Sequence, residues 1–305
     1  MNIAVVGAGI SGLSTAYKLL EAGHEVTVIA KDFSPNTTSN KAAAFWFPYH
    51  IRNDIRGINW CHKSFAFFKE KSMDEDTGIS MTDIIKASKQ GFDDDSWTNY
   101  MPSSSLNLLN QSELPEGYNK GYKASVPLIE TQIFLPWLMR ELQVRGANII
   151  QKKITDLKEL LHGFDVVVNC SALGARELCN DKMVVAVRGQ IVLLEPGYPN
   201  HIFIDNQTPS YIVPRKDATI VGGTYEEEVY EAVTEERSLE DILQKACSIL
   251  PVLKERKIIG SWAGLRPFRS MVRLEREGNI IHNYGHGGSG FTLSFGCAEE
   301  VVSLV

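Results

Sequence analysis

Short apolar runs alternate with stretches of helical spacing at the start of the chain. Asn2–Val6 is an apolar run that stops at Gly7, the pattern of a buried parallel strand. From Ser11 to Ala22 the residues Leu13, Ala16, Leu19 and Leu20 recur at helical spacing, and Gly23 supplies a stop. Glu25–Ala30 is a β-branched run that reads as a second strand. Strand, glycine turn, helix and strand in this order predict the βαβ unit that opens a dinucleotide-binding fold.

The pattern continues less evenly. Ser34 to Lys41 is a polar loop, and Asn59–Lys71 reads as a helix. The acidic, Ser/Asn-rich passage Asp93–Asn110 predicts surface loops. Thr131–Arg145 places Ile133, Phe134, Leu138 and Leu142 on one helical side, with Pro136 marking its first turn. Asn148–Gln151 and Phe164–Cys170 read as later strands of the first sheet. From Met183 the texture changes. Val184–Val187, Gln190–Leu194, Tyr211–Val213 and Thr219–Val221 are short β-rich runs at hairpin intervals, which predicts an antiparallel or mixed sheet. A helix over Ser238–Leu250 and a strand over Lys257–Gly260 follow. The loop from Pro196 to Ser210 is the expected lid over a site. The last helix begins near Phe291 and reaches Val305 with no stop signal, which predicts further residues beyond.

Composition narrows the class. The 305 residues are 44% hydrophobic and 22% charged, with a formal net charge of -6. That is enough chain for one large domain or two moderate ones. The acidic balance, without a Lys/Arg run, excludes nucleic acid as a partner. No apolar run approaches the roughly 18 residues of a membrane span. The five cysteines form no C-x-x-C pair, so small buried thiols are expected rather than a disulfide framework or a metal site.

Two glycine loops carry the chemistry. Gly7-Ala8-Gly9-Ile10-Ser11-Gly12 matches the G-x-G-x-x-G fingerprint in its strand–turn–helix setting. Gly7 then permits the tight turn, Gly9 the approach of a pyrophosphate, and Gly12 close helix–strand packing. The acidic residue expected at the end of the second strand is replaced by Lys31, with Asp32 next. Lys31 suits a 2′-phosphate; Asp32 or backbone suits free ribose hydroxyls; the local sequence leaves both open. At the other end, His282-Asn283-Tyr284-Gly285-His286-Gly287-Gly288-Ser289-Gly290 leads into the apolar stretch from Phe291. Cradles at both ends of the chain imply one long ligand.

This second loop resembles the signature of the D-amino acid oxidase family of flavoenzymes. The resemblance continues through Gly264-Leu265-Arg266-Pro267-Phe268-Arg269, Arg273-Leu274-Glu275-Arg276-Glu277, Tyr211-Ile212-Val213-Pro214 and Gly222-Gly223-Thr224-Tyr225. It also takes in Thr37-Thr38-Ser39, Ala42-Ala43-Ala44, Trp46, Pro48-Tyr49, Val168-Asn169-Cys170-Ser171 and Val187-Arg188-Gly189-Gln190. It implies an α/β fold in which a Rossmann-like FAD-binding domain is interleaved with a substrate domain on a mixed or antiparallel β-sheet. The first would comprise 1–45, 131–185 and 266–305, the second 46–130 and 186–265.

The resemblance also implies non-covalent FAD and assigns roles. Gly7, Ala8, Gly9, Ile10, Ser11 and Gly12 hold the pyrophosphate, and Lys31 and Asp32 lie at the ribose. Thr37, Thr38 and Ser39 hold the diphosphate or ribityl region, with Ala43, Ala44, Ile154, Ser171 and Arg266 completing the cofactor set. Gly287, Gly288, Ser289, Gly290, Phe291 and Thr292 line the flavin ring, where amides at a helix start favour negative charge. Arg266 takes the substrate carboxylate through a planar fork. Tyr211 and Tyr225 bring phenols to the substrate, and Gly288 belongs with them to the catalytic set. Arg269, Arg273 and Arg276 read as structural or solvated, and His282 and His286 as outside the chemistry. No metal is implied.

The implied reaction turns a D-amino acid, O₂ and water into a 2-oxo acid, ammonia and H₂O₂. The neutral amine reacts, and the α-hydrogen leaves as a hydride, with no general base. The acidic-substrate branch carries arginines on pocket strands; here those places read Phe203-Ile204-Asp205 and Tyr225, which favours neutral or apolar substrates. The run Glu226-Glu227-Glu228 reads as a solvated turn. Glycine or sarcosine oxidation, D-aspartate oxidation and a low-turnover flavin-binding protein stay open as alternatives, and so does a homodimer. The compartment is open too: cytoplasm for a prokaryote, while for a eukaryote with residues beyond Val305 the peroxisome remains, since Ser303-Leu304-Val305 is not its tripeptide.

Overall fold

The computed structural model describes residues 1–49, 51, 55–102, 105–208 and 210–305. The N-terminal half carries β1 (Asn2–Val6), α1 (Ile10–Glu21), β2 (Glu25–Ala30), α2 (Ile55–Lys71), β3 (Ile79–Ser88), β4 (Leu106–Leu108), β5 (Lys120–Ile129), α3 (Thr131–Val144) and β6 (Asn148–Gln151). There follow β7 (Val166–Asn169), α4 (Ala175–Leu178), β8 (Val185–Leu194), β9 (Ile202–Asp205), β10 (Ser210–Pro214), β11 (Thr219–Gly222), β12 (Glu226–Glu227), α5 (Glu236–Ile249), β13 (Ile258–Glu277), β14 (Ile280–His286) and α6 (Gly290–Leu304).

These strands join in one path, β4-β5-β3-β9-β10-β11-β8-β13-β14-β7-β1-β2-β6, with β12 beside β8. One end, β14-β7-β1-β2-β6, is parallel throughout. The rest is antiparallel except where β3 meets β9. The βαβ reading of the first thirty residues therefore holds. Its strands are buried on both faces, as continuous apolar runs require. The mixed sheet expected after Met183 is present as β8 to β11.

The last helix is apolar on nearly every side because it is enclosed. It lies against α1 and α2, where Phe295 stacks on Phe67 at 3.4 Å between ring centroids. A Cβ on Gly296 would stand 2.3 Å from the Trp60 backbone, so this glycine sets how closely α6 approaches α2. Trp60, Phe68 and Phe295 are all buried here, each contributing about 1.5–3 kcal/mol.

Several expectations change. Pro136 sits inside α3, not in its first turn. The helix keeps going despite the lost N–H because Phe134, Leu135, Trp137 and Leu138 are all buried around it. Val184–Val187 and Gln190–Leu194 are one strand, β8, since the Arg188-Gly189 break in the apolar pattern is absorbed by an Arg188–Glu226 ion pair. Lys257–Gly260 is only the start of β13, which runs on to Glu277 and crosses the expected domain boundary at 265/266. Its charged end is tied to β14 by Arg273, which donates to Tyr284 Oη at 2.8 Å. The loop from Pro196 to Ser210 is not a free lid, because Ile202–Asp205 pairs with both β3 and β10. Asp93–Asn110 is not all surface: Tyr100 and Met101 are buried, and Leu106–Leu108 is a strand. Positions 103, 104 and 209 of these two segments lie outside the described residues.

Among the described residues no helix is long and apolar enough to cross a membrane. Among them, too, no cluster of His, Cys, Asp and Glu is arranged to hold a metal. The cysteines are unpaired, and Cys61, Cys170, Cys247 and Cys297 are buried; Cys179 is only partly so.

Candidate active site

A cavity of ≈ 1420 Å³ runs from the start of α1 to the start of α6. At one end the backbone turns at Gly7 with φ +117, a conformation that excludes side chains, and a Cβ there would stand 2.3 Å from Cys170 O. Gly7, Ala8, Gly9, Ile10 and Ser11 line this end. Gly12 lies behind it and not on the cavity wall, unlike the rest of the pyrophosphate set; a Cβ there would meet Gly7 O at 1.9 Å, so its place is one of close packing. The Ile10 amide donates to Ser39 Oγ at 2.9 Å, which draws the polar loop over the helix start. Ser11 Oγ donates to Asn283 O at 3.0 Å, tying the first glycine loop to β14 and thus to the second.

The other residues expected to hold the cofactor gather on the same cavity. Thr37, Thr38, Ala43, Ala44, Ile154 and Ser171 line the cavity. Thr37 Oγ1 donates to Asn40 Oδ1 at 2.7 Å, and Ser171 Oγ to Asn169 Oδ1 at 2.6 Å, so both hydroxyls are oriented by the protein. Lys31 and Asp32 lie at the mouth, exposed, 3.5 Å apart.

At the other end Gly287, Gly288, Gly290, Phe291 and Thr292 line the cavity. Ser289 does not. Its hydroxyl donates to Tyr49 O at 2.6 Å and accepts from Tyr49 N at 3.2 Å. Thr292 does the same for Phe47, at 2.8 and 3.2 Å. These two hydroxyls staple the segment 47–49 to the start of α6 and so place Tyr49 and Phe47 on the cavity wall. A Cβ on Gly288 would stand 2.8 Å from the Tyr49 ring.

Arg266, Tyr211, Tyr225 and Gly288 come together there, as expected. Arg266 projects from β13 across Gly189 of β8; a Cβ on Gly189 would stand 2.3 Å from the guanidinium. One guanidinium nitrogen donates to Thr224 O at 3.1 Å, and the charge of the same group acts on the Tyr211 phenol beside it. No carboxylate among the described residues pairs with Arg266. Tyr211 leans over Gly222 and Gly223, whose missing side chains make room for its ring. Burial pushes the phenols of Tyr211 and Tyr225 upward, and that of Tyr49 to about 12, against the pull of Arg266. All three remain hydrogen-bond donors at neutral pH.

The other basic residues are structural, as read. Arg269 binds Asp181 at 2.9 Å, Arg273 binds Tyr284 Oη at 2.8 Å, and Arg276 donates to Leu304 O at 2.6 Å. Glu226 faces the cavity but is held by Arg188 and by Gln190 Nε2 at 2.7 Å. His282 lies away from the cavity, 3.3 Å from Glu277. His286 lines it, with Nε2 3.1 Å from Asn283 Oδ1.

Burial holds His286 down to about 4. An unfolded histidine titrates near 6.5, so between these values the unfolded chain binds the extra proton. The stability that follows is complete above about pH 6.5 and is lost as pH falls toward 4, at roughly 1.4 kcal/mol per unit. Between pH 7 and 5 the wild type should therefore lose about 2 kcal/mol more than His286→Gln in denaturant melts. Equal losses would show that His286 is not the titrating group.

The expected set omits part of the wall. Tyr49 stands 6.5 Å from the Tyr225 ring, Phe45 6.1 Å from Tyr211, and Phe47 5.2 Å from Trp97. Lys86 faces the cavity beside them. The signal for Phe45, Phe47 and Tyr49 was alternation of aromatic residues, part of which bridges to β5 at Leu128; for Lys86 it was the one cation in the strand β3.

A glycine-turn nucleotide cradle on a parallel sheet, joined through one cavity to phenols and an arginine that meets no carboxylate among the described residues, defines an oxidoreductase of the dinucleotide-cofactor class. The sequence matches the FAD dependent oxidoreductase family over residues 2–304, and the chain belongs to it. It is 36% identical to a D-amino-acid oxidase of Rubrobacter xylanophilus, covering 98% of this chain and 94% of that protein. A D-amino-acid oxidase of Dictyostelium discoideum is 34% identical, covering 100% and 91%. The glycine oxidase of Bacillus cereus ATCC 14579 has the same fold, with a TM-score of 0.83 at 19% identity over 99% of this chain and 94% of that one. The cofactor is therefore FAD. The cradle fits it: the left-handed turn at Gly7 and the open cavity between the two helix starts suit an extended dinucleotide.

Proposed function

We propose that this chain oxidises D-amino acids with neutral or apolar side chains, using O₂ and water and yielding a 2-oxo acid, ammonia and H₂O₂. One observation carries the reading: the Arg266 fork, half-buried on the cavity wall, with no carboxylate partner among the described residues. A buried cation in that state favours an anionic ligand, and a planar fork matches a carboxylate. FAD supplies the acceptor for the hydride that leaves the α-carbon. The protein's own residues bind and orient. Arg266 and Tyr211 hold the carboxylate, and Tyr225 and Tyr49 shield the clamp from water. As neutral phenols they take no proton from the amine. We further propose that residues 1–45, 131–185 and 266–305 hold FAD along the parallel strands, while 46–130 and 186–265 form the substrate face. Neither Ile204 nor Tyr225 offers a cation for a second carboxylate, and Asp94 faces the cavity beside Lys86 to repel one, which supports neutral over acidic substrates.

Anaerobic addition of D-alanine, D-methionine or D-phenylalanine should bleach the flavin of the purified holoenzyme, and air should restore it with release of H₂O₂. The L-enantiomers should do nothing. Faster bleaching by glycine, sarcosine or D-aspartate would overturn the reading.

A further inference from the structure

Lys86 occupies an unusual place in the cavity. It stands in one row across the sheet with Ile204 and Tyr211: Lys86 pairs with Ile204 on β9, and Ile204 with Tyr211 on β10. Residues in one row share a face, and two strand spacings put Lys86 about 9–10 Å from Tyr211 at the Cα atoms. Tyr211 leans the other way, toward Gly222 and Arg266. Lys86 therefore marks the end of the substrate space opposite the carboxylate clamp.

Its ammonium lies among aromatic faces, 4.6 Å from Trp97, 5.3 Å from Phe92 and 5.6 Å from Phe47. Those faces attract the charge but accept few of its three N–H bonds. Among the described residues no side chain or carbonyl accepts a hydrogen bond from it, and no carboxylate pairs with it. Asp95, the acid whose charge acts most on Lys86, has its Oδ2 engaged by Lys120 at 2.7 Å and Tyr122 at 2.8 Å. Asp94 also lines the cavity and acts on Lys86 through its charge. Its oxygens accept from Ser96 N at 2.7 Å and Ser96 Oγ at 3.0 Å, which leaves a carboxylate with lone pairs to spare. Burial draws the ammonium down to about 8, so it is mostly charged at neutral pH.

We propose that Lys86 and Asp94 form a specificity site for a side-chain carboxamide, which makes D-glutamine a preferred substrate. The proposal rests on the oxidase reading above and deepens it. The amide oxygen accepts from the Lys86 ammonium, and the amide nitrogen donates to the Asp94 carboxylate. A side-chain carboxylate would satisfy Lys86 but meet the Asp94 carboxylate on the same wall. A thioether or alkyl chain of equal length would gain the Trp97 and Phe47 walls and leave the ammonium without an acceptor. Sites built around such donors discriminate against analogues that lack the partner.

The test compares D-glutamine, D-methionine and D-glutamate with wild type, Lys86→Met and Asp94→Asn holoenzymes. Wild type should favour D-glutamine over D-glutamate. Lys86→Met should lower the ratio of kcat/KM for D-glutamine to that for D-methionine about tenfold to hundredfold, the range of a charge-assisted hydrogen bond, mostly through KM. Asp94→Asn, on an exposed residue, should lower the same ratio by a few fold. An unchanged ratio in both variants, or a wild-type preference for D-glutamate, would overturn the proposal. Absence of D-alanine turnover by wild type would instead sink the oxidase reading, and the proposal with it.

Discussion

Arg266→Ala should lower kcat/KM for D-alanine on the order of 10³-fold while the protein stays yellow. The size follows from what is removed. Each charge-assisted hydrogen bond is worth about 1.5–3 kcal/mol, and the fork makes two in parallel to a carboxylate. Losing both amounts to roughly 10² to 10⁴ in transition-state binding. D-alanine is the right probe because it has almost no side chain with which to compensate. The flavin should remain because the cradle at Gly7 and Ser39 does not involve Arg266. Arg266→Lys should fall between, since it keeps a charge but not the planar fork. Measured KM and kcat for the three proteins, with visible spectra, decide the matter. A variant that binds FAD and turns over D-alanine normally would show that the carboxylate is held elsewhere, and the substrate reading would fail with it.

Different parts of this chain were legible for different reasons. The βαβ unit could be read because its strands are apolar on both faces and its turn needs glycine, so period and punctuation agree. The second glycine loop was legible as a site because glycine at such density requires a close approach or a positive φ. Ser289 shows the limit of that reading. It sits in the ring-lining run by sequence, yet its hydroxyl turns away to bind both backbone groups of Tyr49. Helical spacing cannot tell which side of a short turn faces a cavity. The length of β13 was invisible because the strand has neighbours on both sides and solvent along parts of its faces, so no clean alternation appears. Lys86 and Trp97 escaped for a related reason: a cation on a strand and a tryptophan in a polar passage look solvated until the fold brings them together.

Gly12→Ala should destabilise the protein by about 3 kcal/mol or more and weaken FAD binding on the order of 100-fold. Propensity argues the other way, since alanine inside a helix is favoured over glycine by about 1 kcal/mol. The steric effect is larger. A Cβ at position 12 would stand 1.9 Å from Gly7 O and 2.8 Å from Gly7 C, both backbone atoms. No rotamer relieves such a contact, so α1 must move off β1 or the turn at Gly7 must open. Overpacking of this kind costs typically 1–3 kcal/mol when side chains can shift, and backbone shifts less readily. Either movement also spoils the cradle, because Ile10 N and Ser39 meet only while α1 keeps its place. Gly9→Ala is the control. Its Cβ would stand 3.1 Å from Ser39 Oγ, a side-chain atom that can give way, so stability should change little while FAD binding still suffers. Denaturant melts of the apoproteins and flavin titrations separate the two effects. If both variants lose stability equally, helix–strand contact at Gly12 is not what fixes the cradle.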